Sequence, residues 1–116
     1  MKRAVQLDKG RQDMQLDTSV KKAIDLIADD LHPTRIILFG SRAREDHRPD
    51  SDVDLLIIYD GQLSKRDVKL RIRRLLRERD FSLDIFVVTS DEFERQKEIV
   101  STVGRTAARE GVVCHG

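Results

Sequence analysis

Leu38-Phe39-Gly40-Ser41-Arg42-Ala43-Arg44, followed closely by Ser51-Asp52-Val53-Asp54-Leu55-Leu56, sets the strand layout around which the rest of the chain is organised. An apolar run breaks at Gly-Ser, and a second apolar run opens behind two aspartates placed at i and i+2. Arg35 to Phe39 reads as a five-residue strand. Val53 to Tyr59 reads as another, ended by the Asp60-Gly61 turn.

Outward from these strands the period becomes helical. Upstream, Thr18 or Ser19 can cap a helix with apolar positions Val20, Ile24, Ile27 and Leu31, ended by His32-Pro33. Downstream, Val68, Ile72, Leu75 and Leu76 form one stripe of a helix over Ser64 to Arg79, closed by Arg79-Asp80. Phe81 to Thr89 predicts a third strand. Thr89 and Glu92 then form a capping box for a helix running to about Glu110, with Gly111 as its stop and Val112-Val113-Cys114 as a final edge strand. With a short helix from Arg42 to Asp46, the order is helix, strand, short helix, strand, helix, strand, helix. No repeat, low-complexity tract or linker interrupts it, so a single α/β layer structure is expected over residues 18 to 116. Residues 1 to 17 are charged and without a sustained period, which predicts a loosely ordered N-terminal arm or one short edge element.

Composition narrows the function classes. A chain of 116 residues builds one core and leaves no room for a separate substrate-binding domain, so a large substrate would be held partly by another protein. Lys plus Arg total 22 against 21 for Asp plus Glu, so net charge points neither to nor away from nucleic acid. Apolar bursts are far shorter than the roughly twenty residues a membrane-spanning helix needs. The Met1-Lys2-Arg3 start runs into polar sequence, so no membrane role and a cytoplasmic location are expected. Cys114, the single cysteine, excludes an internal disulfide and a cysteine zinc cluster and reads as a small terminal hydrophobe.

The chemistry lies in the decisive stretch. A glycine at a strand end lets the backbone turn sharply and lets a phosphate approach the peptide groups with no Cβ in the way. Ser41 adds a hydroxyl, Arg42 and Arg44 add positive charge, and a short helix starting there would aim free N–H groups at the same anion. Gly-Ser alone is also compatible with an ordinary strand-to-helix turn. Asp52 and Asp54 change the balance, because residues two apart on a strand share a face, their attachment points roughly 6 to 7 Å apart. Two carboxylates so placed can clasp a pair of Mg2+ ions about 3.5 to 4 Å apart, the arrangement of in-line phosphoryl chemistry. A solvated turn capped by Asp50, Ser51 and Asp52 is the alternative. Asp84, inside an otherwise apolar strand, is the candidate third acid and the acceptor of the attacking hydroxyl's proton. It could instead pair with a core arginine.

The combined pattern resembles the minimal nucleotidyltransferases of the DNA polymerase beta-like superfamily, over roughly residues 20 to 113. The resemblance implies a mixed-sheet α/β core that transfers a nucleoside monophosphate from a Mg2+-bound nucleoside triphosphate, with ATP as donor, to a hydroxyl. By position, Gly40, Ser41, Arg42 and Arg44 would hold the nucleotide, while Asp52, Asp54 and Asp84 would hold two Mg2+ ions and serve catalysis. Small stand-alone members commonly act as antitoxins of helical HEPN-domain ribonuclease toxins. Some attach AMP to a tyrosine of that partner, which implies a hetero-oligomer. This chain departs from the pattern after Arg44, where Glu45 and Asp46 stand in place of the usual small residue. Two acids there oppose anion binding by Coulomb repulsion unless they point outward or reach Arg42, Arg44 or Arg48.

Three further features are weaker. The segment Lys65 to Arg79 carries eight basic residues, Lys65, Arg66, Lys69, Arg71, Arg73, Arg74, Arg77 and Arg79, against Asp67 and Glu78. It reads as a solvated outer face, or as a surface for RNA or an acidic partner; without interleaved aromatics, base stacking is not indicated. His32, His47 and His115 are scattered without ligand spacing. Tyr59 falls on the face opposite Asp52 and Asp54, and Phe39, Phe81, Phe86 and Phe93 are expected in the core or at its edge.

Overall fold

The computed structural model describes residues 18–40 and 52–116. The expected arm over residues 1 to 17 and the expected short helix after Ser41 lie outside the described residues. In chain order the elements are α1 (Thr18–Leu31), β1 (Arg35–Phe39), β2 (Val53–Ile58), α2 (Lys65–Leu75), β3 (Leu83–Val88), α3 (Ser90–Gln96), α4 (Val103–Glu110) and β4 (Val112–His115). The four strands form one mixed sheet in the order β3-β2-β1-β4, with β1 antiparallel to β2 and β4, and β2 parallel to β3. The parallel pair follows from the α2 crossover, since strands joined through a helix return in the same direction. The expected α/β class and mixed sheet are therefore present. Among the described residues no helix is long and apolar enough to cross a membrane.

Strand alternation divides the core into two layers. Ile36 and Leu38 of β1, with Val53, Leu55 and Ile57 of β2 and Leu83, Ile85 and Val87 of β3, pack against α1 and α2 through Val20, Ile24, Ile27, Val68, Ile72 and Leu76. The opposite layer is smaller: Ile37, Phe39, Leu56, Ile58 and Val88 meet Phe93 and Ala107 of α3 and α4. Tyr59 packs at the edge of the first layer, as its parity predicts, and its hydroxyl accepts a hydrogen bond from the Leu63 N–H at 3.3 Å.

Two helix boundaries differ from expectation. The basic helix stops at Leu75, because Arg79 turns back, its guanidinium donating to the carbonyls of Leu76 and Phe81. The helix expected from Thr89 to Glu110 is two helices. The Thr89 and Glu92 capping box starts α3, but that helix ends at Gln96, and a second cap, Thr102, starts α4 by accepting from the Arg105 N–H. The Thr102 hydroxyl also donates to the carbonyls of Gln96 and Ile99, and Ser101 is held at φ 79°. Local side-chain bonds to backbone thus outcompete helix continuation. Gly111 does end α4, and Cys114 is half-buried against the larger layer, where burial pushes its thiol up to about 11.

Outside the core, Asp60 ties three elements together at the end of β2 away from the acids. It accepts from the N–H and the hydroxyl of Ser90 and from the Thr34 hydroxyl, and these bonds hold its carboxyl below the usual range. The basic face of α2 is partly neutralised by Lys65 with Glu92 at 2.8 Å and Arg71 with Asp30 at 3.1 Å.

Candidate active site

The candidate acids are organised by strand register. Phe39 of β1 pairs with Asp54 of β2, and Asp54 pairs with Asp84 of β3, so the end of β1 and both acids fall on one row across the sheet. Thirty residues separate Asp54 from Asp84 in sequence, and only the parallel pairing brings them side by side. Asp52 stands just ahead of β2, exposed, on the same face.

Gly40 closes the row from the β1 side. Its φ is 76°, a left-handed conformation that glycine adopts without penalty. A Cβ at this position would overlap the Asp54 carboxylate, so the glycine also makes room for the acid. The backbone turn and the acid pair, two separate motifs in the sequence, are therefore one assembly.

Asp54 is half-buried, and its carboxyl is pushed up to about 6. Loss of solvent is the largest cause, followed by the negative charges of Asp84 and Asp52, and then by a hydrogen bond with Asp84. A shared proton is the way two facing carboxylates coexist without a cation. Of the three expected acids, the structure thus brings Asp54 and Asp84 into contact, while Asp52 acts on Asp54 through its charge. Among the described residues, no three His, Cys, Asp or Glu side chains are already arranged to hold a metal ion. The donor chemistry nevertheless fits Mg2+, which takes hard carboxylate oxygens, and the crowded negative charge that raises Asp54 is what a divalent cation would relieve. Ser41, Arg42 and Arg44, expected to hold phosphate, lie outside the described residues, as do Glu45, Asp46 and His47. His32 and His115 stand away from the acids: His32 follows α1, and His115 ends β4 and pairs with Ile36.

One residue beside the acids carries no sequence signal beyond its parity. Phe86 lies two positions beyond Asp84 on the same face, 36% exposed, with its ring centroid 5.6 Å from that of Phe39. The other expected core aromatics fare as predicted: Phe39 and Phe93 are buried and Phe81 is half-buried.

Comparison with known proteins bears on the same fold. No curated protein sequence matches the chain. A solved chain described as "Crystal structure of the toxin-antitoxin with AMP-PNP" superposes with a TM-score of 0.58 at 18% identity, over 83% of this chain and 73% of that one. At that identity the likeness establishes a shared fold. Residues 20–110, which include Gly40, Asp52, Asp54 and Asp84, match the family described as "Nucleotidyltransferase domain", and the chain belongs to that family.

Proposed function

We propose that this chain is a Mg2+-dependent protein adenylyltransferase that moves AMP from ATP to a hydroxyl of a partner protein. In this reading it is the minimal-nucleotidyltransferase antitoxin of a HEPN ribonuclease toxin, and the two form a hetero-oligomer. The observation that carries the chemistry is the row of Gly40, Asp54 and Asp84, with an acid pair whose mutual repulsion calls for a cation. Family membership supports nucleotidyl transfer. The toxin-antitoxin neighbour bound to an ATP analogue supports the donor and the biological setting.

Each residue has a chemical task. Gly40 leaves backbone open to the phosphates, with Ser41, Arg42 and Arg44 supplying a hydroxyl and positive charge. Asp52, Asp54 and Asp84 would hold Mg2+, which when bound neutralises charge on the phosphoryl oxygens and the leaving pyrophosphate. Asp84, exposed at the edge strand, accepts the proton of the entering hydroxyl. The half-burial of Asp54 fixes its carboxylate against Gly40 and strengthens its electrostatics relative to water.

The test incubates the chain with Mg2+, α-labelled ATP and the product of the neighbouring gene. Label on the neighbour that disappears with Asp52→Ala plus Asp54→Ala supports the transferase. A second reading is an antitoxin, catalytically weak or inactive, that neutralises its toxin by binding alone. Glu45 and Asp46 beside the phosphate turn favour it, as does the absence, among the described residues, of a ready three-acid metal cluster. Tight complex formation without label, equal in both forms, would select that reading.

A further inference from the structure

Phe86 is the apolar residue of β3 that stays open to solvent. On β3, Leu83, Ile85 and Val87 are buried in the larger layer, and Val88 is covered with Phe93 in the smaller one. Asp84 and Phe86 alternate with them and stay open. The Phe86 ring is steadied by buried Phe39, the two planes tilted by 52°. A large aromatic held in place yet exposed to water is a surface ready to bind an apolar group. Because β3 is an edge of the sheet, nothing pairs with its outer side among the described residues.

In-line transfer sets a direction across this row. The entering and leaving oxygens sit on opposite sides of the transferred phosphorus. With the leaving pyrophosphate at the Gly40 turn, on the β1 side, the entering hydroxyl must come from the β3 side. Strands lie about 4.8 Å apart, so Gly40, Asp54 and Asp84 span roughly 10 Å, enough for a phosphate chain and an attacking oxygen. The exposed side chains waiting on β3 are Asp84 and, one pleat further on, Phe86.

Given the transferase reading, we infer that Phe86 floors the acceptor subsite, its ring packing against an apolar or aromatic side chain of the protein segment that carries the accepting hydroxyl. In the step itself, the hydroxyl oxygen bonds to the α-phosphorus and its proton passes to the Asp84 carboxylate. The bond from the α-phosphorus to the α,β-bridging oxygen breaks, and its electron pair leaves with pyrophosphate. Phe86 takes no part in that exchange and acts by binding alone. The acceptor this arrangement fits is a protein surface with an apolar flank beside its hydroxyl.

The experiment measures label transfer from ATP to the neighbouring gene's product at saturating Mg2+ and ATP, for wild type, Phe86→Ala and Phe86→Leu. Affinity for Mg2+-ATP and the thermal unfolding transition are recorded for each. Phe86→Ala should raise the acceptor KM about tenfold, the size of one lost aromatic contact, with kcat and nucleotide affinity within about twofold of wild type. Phe86→Leu should recover about half of that loss on a logarithmic scale, and it decides the question if Phe86→Ala loses its unfolding transition. Weakened nucleotide affinity with an unchanged acceptor KM would assign the ring to the nucleobase and overturn the inference, as would no change in either. Wild-type protein that transfers no label overturns the transferase reading, and the inference with it, without any substitution at residue 86.

Discussion

The two faces of the sheet are built alike and finished differently. One is closed from end to end by α1 and α2, with Ile27, Ile36, Leu55, Ile57, Val68 and Ile72 at 1% exposure or less. The other carries α3 and α4 over Leu56, Ile58 and Val88, while Asp54 is left half-buried and Asp84 exposed. The first face holds the larger apolar layer, and the second leaves carboxylates within reach of solvent. Asp54 sits at the boundary, buried enough to raise its pKa and open enough to meet a ligand.

Substitutions can break this division. On the proposed reading the largest effect is expected from Asp52→Ala with Asp54→Ala, which should cut label transfer by about 10³-fold or more while leaving the unfolding transition in place. A parallel collapse of stability would show that the open face also holds the fold together. Next comes Ile27→Ala on the closed face, expected to destabilise by about 3 to 4 kcal/mol in denaturant titration, through a cavity at a fully buried position. Residual folded protein should keep its nucleotide affinity.

Gly40→Ala sharpens the boundary, since a methyl group there both strains a left-handed residue and displaces the Asp54 carboxylate. We expect a loss of about 1 to 3 kcal/mol in stability. Transfer by the protein that remains folded should fall further, because the acid moves.

The smallest effect is a pH signature. Asp54 has its carboxyl raised from 3.8 to about 6, so it favours the folded state only while protonated. Its contribution is complete below the unfolded value near 4 and is lost as pH rises through about 6. Asp54→Asn removes that loss. Without divalent cation, the variant should be more stable than wild type by about 1 kcal/mol at pH 7, a figure reduced for solvent screening of a half-exposed group, and equal to it near pH 4. An Asp54→Asn protein less stable than wild type at pH 7 would mean that the carboxylate is compensated by a neighbour. Added Mg2+ should raise the wild-type midpoint at pH 7 and leave that of Asp54→Asn nearly unmoved.

Local signals account for much of this arrangement. Arg35 to Phe39 is a strand with the bounds its residues predict, and α1 ends at Leu31, as His32-Pro33 requires. Thr89 and Glu92 cap α3 reciprocally, since that signal lies within four residues and needs no tertiary help. The split between α3 and α4 does not show in the apolar period, although Ser101-Thr102 marks it. A cap in mid-helix competes with that period, and sequence alone does not weigh one against the other. Of the candidate site, Gly40, Asp52, Asp54 and Asp84 stand out by residue type and spacing, whereas Phe86 reads only as a core or core-edge aromatic.

Read alone, the sequence carries the four strands, the faces on which their residues fall and the candidate acids, but not the division between α3 and α4, because alternation and capping are settled among near neighbours. The packing of the whole domain sets β3 parallel beside β2, brings Asp84 to Asp54 and closes Gly40 on the same carboxylate. Strand order joins residues far apart in the chain. It is chosen by how two helical layers cover one sheet, a balance of burial over the whole domain that no local pattern contains.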